Sequence, residues 1–209
     1  MRIIALLLFL PMLIISGSAY AEPISEIQKR WAIANYELTG EAQAEAFESL
    51  IADIAQQAET DQSAELLIWK GIVESSYAGK AGGLDALGLV KSARSALEAA
   101  LEANPDALDG SAFTSLGALY YQVPPWPIAF GSNKKARRYL EKAIEINPDG
   151  IDSNYFYGAF LIEEKEYVAA RQALQKAMQA PTRADRPIAD KGRRAEIQAL
   201  LTDLSARGV

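Results

Sequence analysis

The sequence predicts an all-α fold made of antiparallel helical hairpins, and three observations carry that prediction. Apolar residues recur at three- and four-residue spacing from about residue 25 almost to the C-terminus, the spacing of one face of a helix. The interruptions fall at Gly, Asn-Pro and Pro-rich stretches, most only a few residues long, and short connections join consecutive helices antiparallel. No stretch alternates apolar and polar residues with the period of two that a half-buried strand needs.

The first residues read as a signal peptide. Met1-Arg2 supply the positive end, Ile3–Ile15 the apolar run, and Ala19-Tyr20-Ala21 a small-residue cleavage pattern, so cleavage is expected after Ala21. The run falls short of the roughly 17–25 residues a bilayer span needs, and no other segment is apolar enough. Cysteine is absent, which excludes disulfides and an N-terminal lipid anchor. The expectation is an exported, soluble, periplasmic protein that is not a lipoprotein. Cleavage leaves 188 of the 209 residues, residues 22–209, as one helical domain; loss of Arg2 takes the net charge from −6 to −7. An acidic balance argues against nucleic acid, whose phosphates need clustered Lys and Arg.

Histidine is absent as well, which removes the commonest general base and metal ligand. No G-x-S-x-G, phosphate loop or metal-ligand cluster occurs, and Gly79–Gly83 lacks the Lys-Ser/Thr ending a phosphate loop requires. The expectation is a protein without catalytic activity, cofactor or metal.

The helices follow in order. Ser25 to Gln28 fits a capping box, with Ile27, Trp31, Ala34 and Leu38 on one face and Gly40 as the stop. A second helix over about 41–58 carries Phe47, Leu50, Ile51 and Ile54. Thr60, Asp61 or Ser63 caps a third that runs to about Tyr77, apolar nearly all round through Leu66–Trp69, and therefore central. Gly79–Gly83 breaks it, and a long helix follows to Ala103, ended by Asn104-Pro105. Further helices are expected over about 111–121, from Ser132 or Asn133 to Ile146, over 153–163, 166–179, and about 188–206 as a C-terminal cap.

The hairpins share one pattern. Ala93, Leu97, Ala100 and Asn104-Pro105 recur 43 residues later as Ala136, Leu140, Ala143 and Asn147-Pro148, and the first three recur 34 residues further on as Ala170, Leu174 and Ala177. Gly71, Gly117 and Gly158 occupy matching places in the preceding helices. With Phe113, Leu116 and Tyr120, and with Asn154, Tyr157 and Leu161, this pattern resembles the tetratricopeptide repeat (TPR) over about residues 64–181. The resemblance implies a right-handed superhelix of about four hairpins with a C-terminal capping helix. The signal peptide and the Pro124–Gly131 insert are similar to exported Gram-negative TPR proteins of the TRAP-transporter-associated type, although the lipid-bearing Cys of that group is missing here.

TPR likeness implies a concave groove lined by the first helix of each hairpin. Those positions fall at Ile68 and Ile72, at Thr114, Ala118 and Tyr121, and at Tyr155, Ala159 and Ile162. The groove therefore reads as apolar and aromatic, fit for a protein partner's apolar segment, for an apolar small molecule, or for this chain's own C-terminal helix. Trp126 and Phe130 in the insert serve either as packing against the hairpin or as one wall of a pocket beside that groove. The run Lys134–Arg138 reads either as a solvated face or as an anion site, and the basic residues Arg183, Arg186, Lys191, Arg193 and Arg194 as partners for acids such as Glu163, Glu164 and Glu166. The resulting expectation is a non-catalytic periplasmic adaptor for a protein partner, with an apolar-ligand or transport-accessory protein as the alternative.

Overall fold

Three glycines of the repeat each face a leucine of the next helix with no room for a side chain between. A Cβ atom at Gly71 would lie 2.5 Å from Leu97 Cγ, one at Gly117 2.5 Å from Leu140 Cγ, and one at Gly158 2.8 Å from Leu174 Cγ. The computed structural model describes residues 23–208, so the signal-peptide segment lies outside the described residues. The described residues form α1 (Ile24–Tyr36), α2 (Gly40–Gln57), α3 (Ala64–Ala81), α4 (Gly83–Ala103), α5 (Ala107–Gln122), α6 (Asn133–Ile146), α7 (Ile151–Glu163), α8 (Tyr167–Gln179) and α9 (Pro187–Ala206). None of these helices is long and apolar enough to cross a membrane.

The Ala/Leu ladder of the second helices is the facing ridge. Ala93, Leu97 and Ala100, Ala136, Leu140 and Ala143, and Ala170, Leu174 and Ala177 are all 0 % exposed. Small residues on one helix and a leucine between alanines on its partner let the two backbones approach closely. This is the local device that repeats along the chain.

Four hairpins, α1/α2, α3/α4, α5/α6 and α7/α8, stack side by side with their first helices inward. Each first helix touches the next, α7 touches α9, and α9 returns to touch α1. The odd-numbered helices therefore close into a ring, with α2, α4, α6 and α8 outside it. The C-terminal helix is a member of this ring and does not fill it. One core cluster runs from Ile68 and Leu97 through Leu116 and Leu140 to Phe160, Leu174 and Ile197. A second joins Ile27, Trp31, Phe47 and Trp69 to Ala189 of α9, so the first and last described helices share it.

Several boundaries differ from expectation. At α1 the cap position belongs to Pro23, with no side-chain capping bond; the Pro23 carbonyl instead accepts from the amides of Glu26 (2.9 Å) and Ile27 (3.2 Å). Its C-terminal carbonyls are closed by Gln43, whose Nε2 donates to Ala34 (2.7 Å) and Leu38 (2.9 Å). Helix α3 runs past Tyr77 to Ala81, because Gly79 stays helical and the left-handed φ of 67° occurs at Gly82. Ser63 holds the N-cap position of α3, and its amide donates to Asp61 Oδ1 at 2.8 Å. The start expected near Ser111 is correct in conformation: Leu108, Asp109 and Gly110 all take left-handed φ before the helix settles. The α6 cap is Ser132, which accepts from the Lys135 amide.

Candidate functional site

The closed ring encloses a concave cavity of about 640 Å³, within the range of small-ligand sites. Every odd-numbered helix contributes to its wall. Trp31 comes from α1, Trp69, Ile72, Ser75 and Ser76 from α3, Thr114, Ser115 and Ala118 from α5, and Asp152, Tyr155 and Phe156 from α7. Arg193 and Glu196 come from α9, and Arg183 and Arg186 from the segment that leads into it. Leu108 and Asp109, two non-glycine residues with positive φ, also line it. Left-handed conformations of this kind cost about 1–3 kcal/mol each and concentrate at functional positions.

The lining combines the expected apolar and aromatic surface with charged side chains that the repeat register did not point to. Its floor is an ion-pair network. Arg193 Nε lies 2.8 Å from Asp152 Oδ1, and Arg193 Nη1 lies 2.6 Å from Glu196. Arg183 Nη1 lies 2.8 Å from Asp152 Oδ2, and its Nε donates to Asp190 Oδ1 at 2.7 Å. Arg193 is 8 % exposed at its side chain and stacks over Tyr155 (4.2 Å) and Phe156 (4.7 Å). Burial pushes the Asp152 carboxyl up, but Arg193 and Arg183 outweigh it and hold the pKa at about 2. Burial alone would lower the Arg193 guanidinium, but Asp152 first, then Tyr36 and Glu196, hold it above its ordinary range. These acids, with Asp190, are the partners of the 183–194 run; Glu164 and Glu166 pair instead with Arg137 on α6, and Arg194 donates to the Met178 and Ala180 carbonyls.

The expected groove residues separate into three groups. Ile72, Thr114, Ala118 and Tyr155 line the cavity. Ile68 is fully buried in the core, and Tyr121 packs on Phe160 at 5.7 Å with burial pushing its phenol pKa up. Ala159 and Ile162 are half-buried on α7 beyond the cavity wall. The sequence reading missed Trp31, Trp69, Asp152, Phe156 and the three arginines. Their signal was present in part, since the basic run around residues 183–194 stood out, but its connection to Asp152 depends on how the ring closes.

The insert lies elsewhere. None of residues 124–131 lines the cavity, so it forms no wall of that pocket. Its base is tied by backbone bonds from the Gly131 amide to Pro124 (2.9 Å) and from the Ser132 amide to Tyr120 (2.7 Å). A Cβ at Gly131 would lie 1.9 Å from the Val123 carbonyl oxygen, so only glycine fits that crossing. Phe130 is the anchor: its ring meets Tyr120 edge-on at 5.5 Å, and the Arg94 guanidinium covers it at 4.5 Å. Trp126, by contrast, is 85 % exposed, and Ile128 is 65 % exposed.

Comparison with known proteins bears on the second half of the chain. No curated protein matches it. The tetratricopeptide repeat family model matches residues 128–186, from the insert through α6, α7 and α8 to Arg186. Together with the glycine–leucine hairpins, that match makes the described chain an all-α, TPR-like superhelix of helical hairpins.

Proposed function

We propose that this protein is a non-catalytic periplasmic adaptor that engages a protein partner through the tip of the insert. The observation that carries this reading is Trp126, exposed beside Ile128 on a loop whose base is tied and whose other aromatic is anchored. A large apolar side chain held out on an ordered loop loses little conformational freedom when a partner covers it. Tryptophan is also among the residues that most often dominate binding at interfaces. Tetratricopeptide repeats generally serve protein interaction, which fits an adaptor. The signal-peptide pattern at residues 1–21 is the ground for the periplasmic location.

The test is in-cell crosslinking from a photoreactive residue at Ile128, comparing the native tip with Trp126→Ala. A discrete crosslinked protein that is lost in the variant supports the adaptor, and an unchanged pattern contradicts it. N-terminal sequencing of the mature protein checks the export reading, which expects the chain to begin at Glu22.

A further inference from the structure

Among the guanidinium groups that line the central cavity, Arg186 differs from the other two. Arg183 and Arg193 are each bonded to two carboxylates. The Arg186 side chain forms no hydrogen bond or ion pair with the described residues, and its Nε is buried without an acceptor. It rests instead on the face of Trp69, 5.2 Å from the ring. Trp69 also lines the cavity, is 2 % exposed, and its own indole N–H is buried without an acceptor. Two neighbouring residues thus leave donors unmatched in one corner of the cavity. Leaving a buried donor unmatched is costly, more so when it is charged.

The electrostatics agree. Burial first, and Arg183 next, push the Arg186 pKa below its ordinary range despite the nearby Asp152, Asp190 and Asp185. The corner lacks an anion that reaches Arg186 directly. The rest of the wall limits what that anion can be. Asp109, Asp149, Asp152, Asp185 and Glu196 stand against Arg183, Arg186 and Arg193, so a multiply charged phosphate meets net repulsion. A single carboxylate is matched by one free guanidinium. Trp31, Ile72, Ala118 and Phe156 provide apolar surface for the remainder of such a molecule.

We propose that the central cavity binds a small organic monocarboxylate, with Arg186 as the carboxylate-binding residue and the apolar body lying along the ring's inner wall. This site is separate from the insert and goes beyond the adaptor reading.

The probes are benzoate and indole-3-acetate, each titrated calorimetrically beside its neutral amide and beside phenyl phosphate. A tripeptide with a free or an amidated C-terminus tests whether a peptide tail is the source of the carboxylate. The expected result is saturable binding of at least one acid at or below about 1 mM, with no saturation by the amides or the phosphate. Arg186→Gln should weaken that binding roughly tenfold to a hundredfold, the scale of one hydrogen bond to a charged group, while Trp126→Ala leaves it unchanged. Arg186→Gln keeps the backbone amide that bonds to Arg183, and circular dichroism checks its fold. In the native chain, an indole N–H resonance that moves with the acid should belong to Trp69 and not to Trp126, which keeps the test decisive even if the variant misfolds. Failure of both acids to bind, equal binding of acid and amide, binding of the peptide or phosphate alone, unchanged affinity in folded Arg186→Gln, or an unmoved Trp69 signal overturns the proposal.

Discussion

The ring of Tyr36 on α1 lies directly on the backbone of Gly192 on α9, so closely that a Cβ atom at position 192 would be 2.3 Å from Tyr36 Cδ1. Nearby, the Tyr36 hydroxyl donates to Glu196 Oε2 at 3.4 Å, and Trp31 meets the Tyr36 ring edge-on at 5.8 Å. This contact joins the two ends of the described chain and turns an open stack of hairpins into a ring.

Gly192→Ala places a methyl group inside that contact, against ring atoms that are not a flexible end. Overpacking of this kind costs about 1–3 kcal/mol, offset by less than about 1 kcal/mol of helix propensity. Thermal unfolding should show a net loss, and a midpoint equal to or above the native one would mean that the contact is not tight.

Asp152 links acid sensitivity to the cavity floor. Its folded pKa of about 2 lies below its ordinary 3.8. Its stabilisation is therefore fully present above about pH 4 and is lost as pH falls through about 2. With the side chain about a third exposed, screening reduces the contribution to about 1–2 kcal/mol. Asp152→Asn also removes a partner from buried Arg193, so its full cost near neutral pH should be about 2–4 kcal/mol. Denaturant titrations across pH check this, and the gap between variant and native chain should narrow between about pH 4 and pH 2.

The hairpin device predicts opposite outcomes at two helical glycines. Gly117→Ala drives a methyl group into Leu140 Cγ and the Leu140 amide and should destabilise by about 1–3 kcal/mol. Gly79→Ala meets nothing within 4 Å on α3 and should stabilise by about 0.5–1 kcal/mol through helix propensity. Paired chemical denaturation measures both signs in one experiment.

Trp126→Ala should leave stability within about 1 kcal/mol, as expected at an exposed position, while abolishing partner crosslinking. A loss of several kcal/mol would show that the ring supports the fold, and the interaction role would then fall.

The hairpins were legible because each is specified by residues close in sequence. A small residue in one helix and an Ala/Leu ladder in the next meet wherever the connecting loop is short, so Gly117 and Leu140 reveal their contact by spacing alone. The cavity was less legible. Ile72, Thr114, Ala118 and Tyr155 follow from the repeat register, but Asp152, Arg183 and Arg193 gain their meaning from ring closure, which depends on how far successive hairpins rotate. No local pattern encodes that rotation. The Tyr36–Gly192 contact spans most of the chain, and glycine at position 192 carries no signal until its partner is known. An aromatic in a Pro-rich loop has no periodicity to read, so the sequence does not assign Trp126 to core or surface.

Closure of the ring is tested most directly by hydrogen exchange measured by mass spectrometry. An open stack of hairpins frays from its ends, whereas α1 and α9 locked together should open only with the ring. With the ring closed, amides in residues 24–36 and 187–206 should be protected to nearly the level of residues 111–122. Rapid exchange of both end helices while the central hairpins stay protected would contradict it.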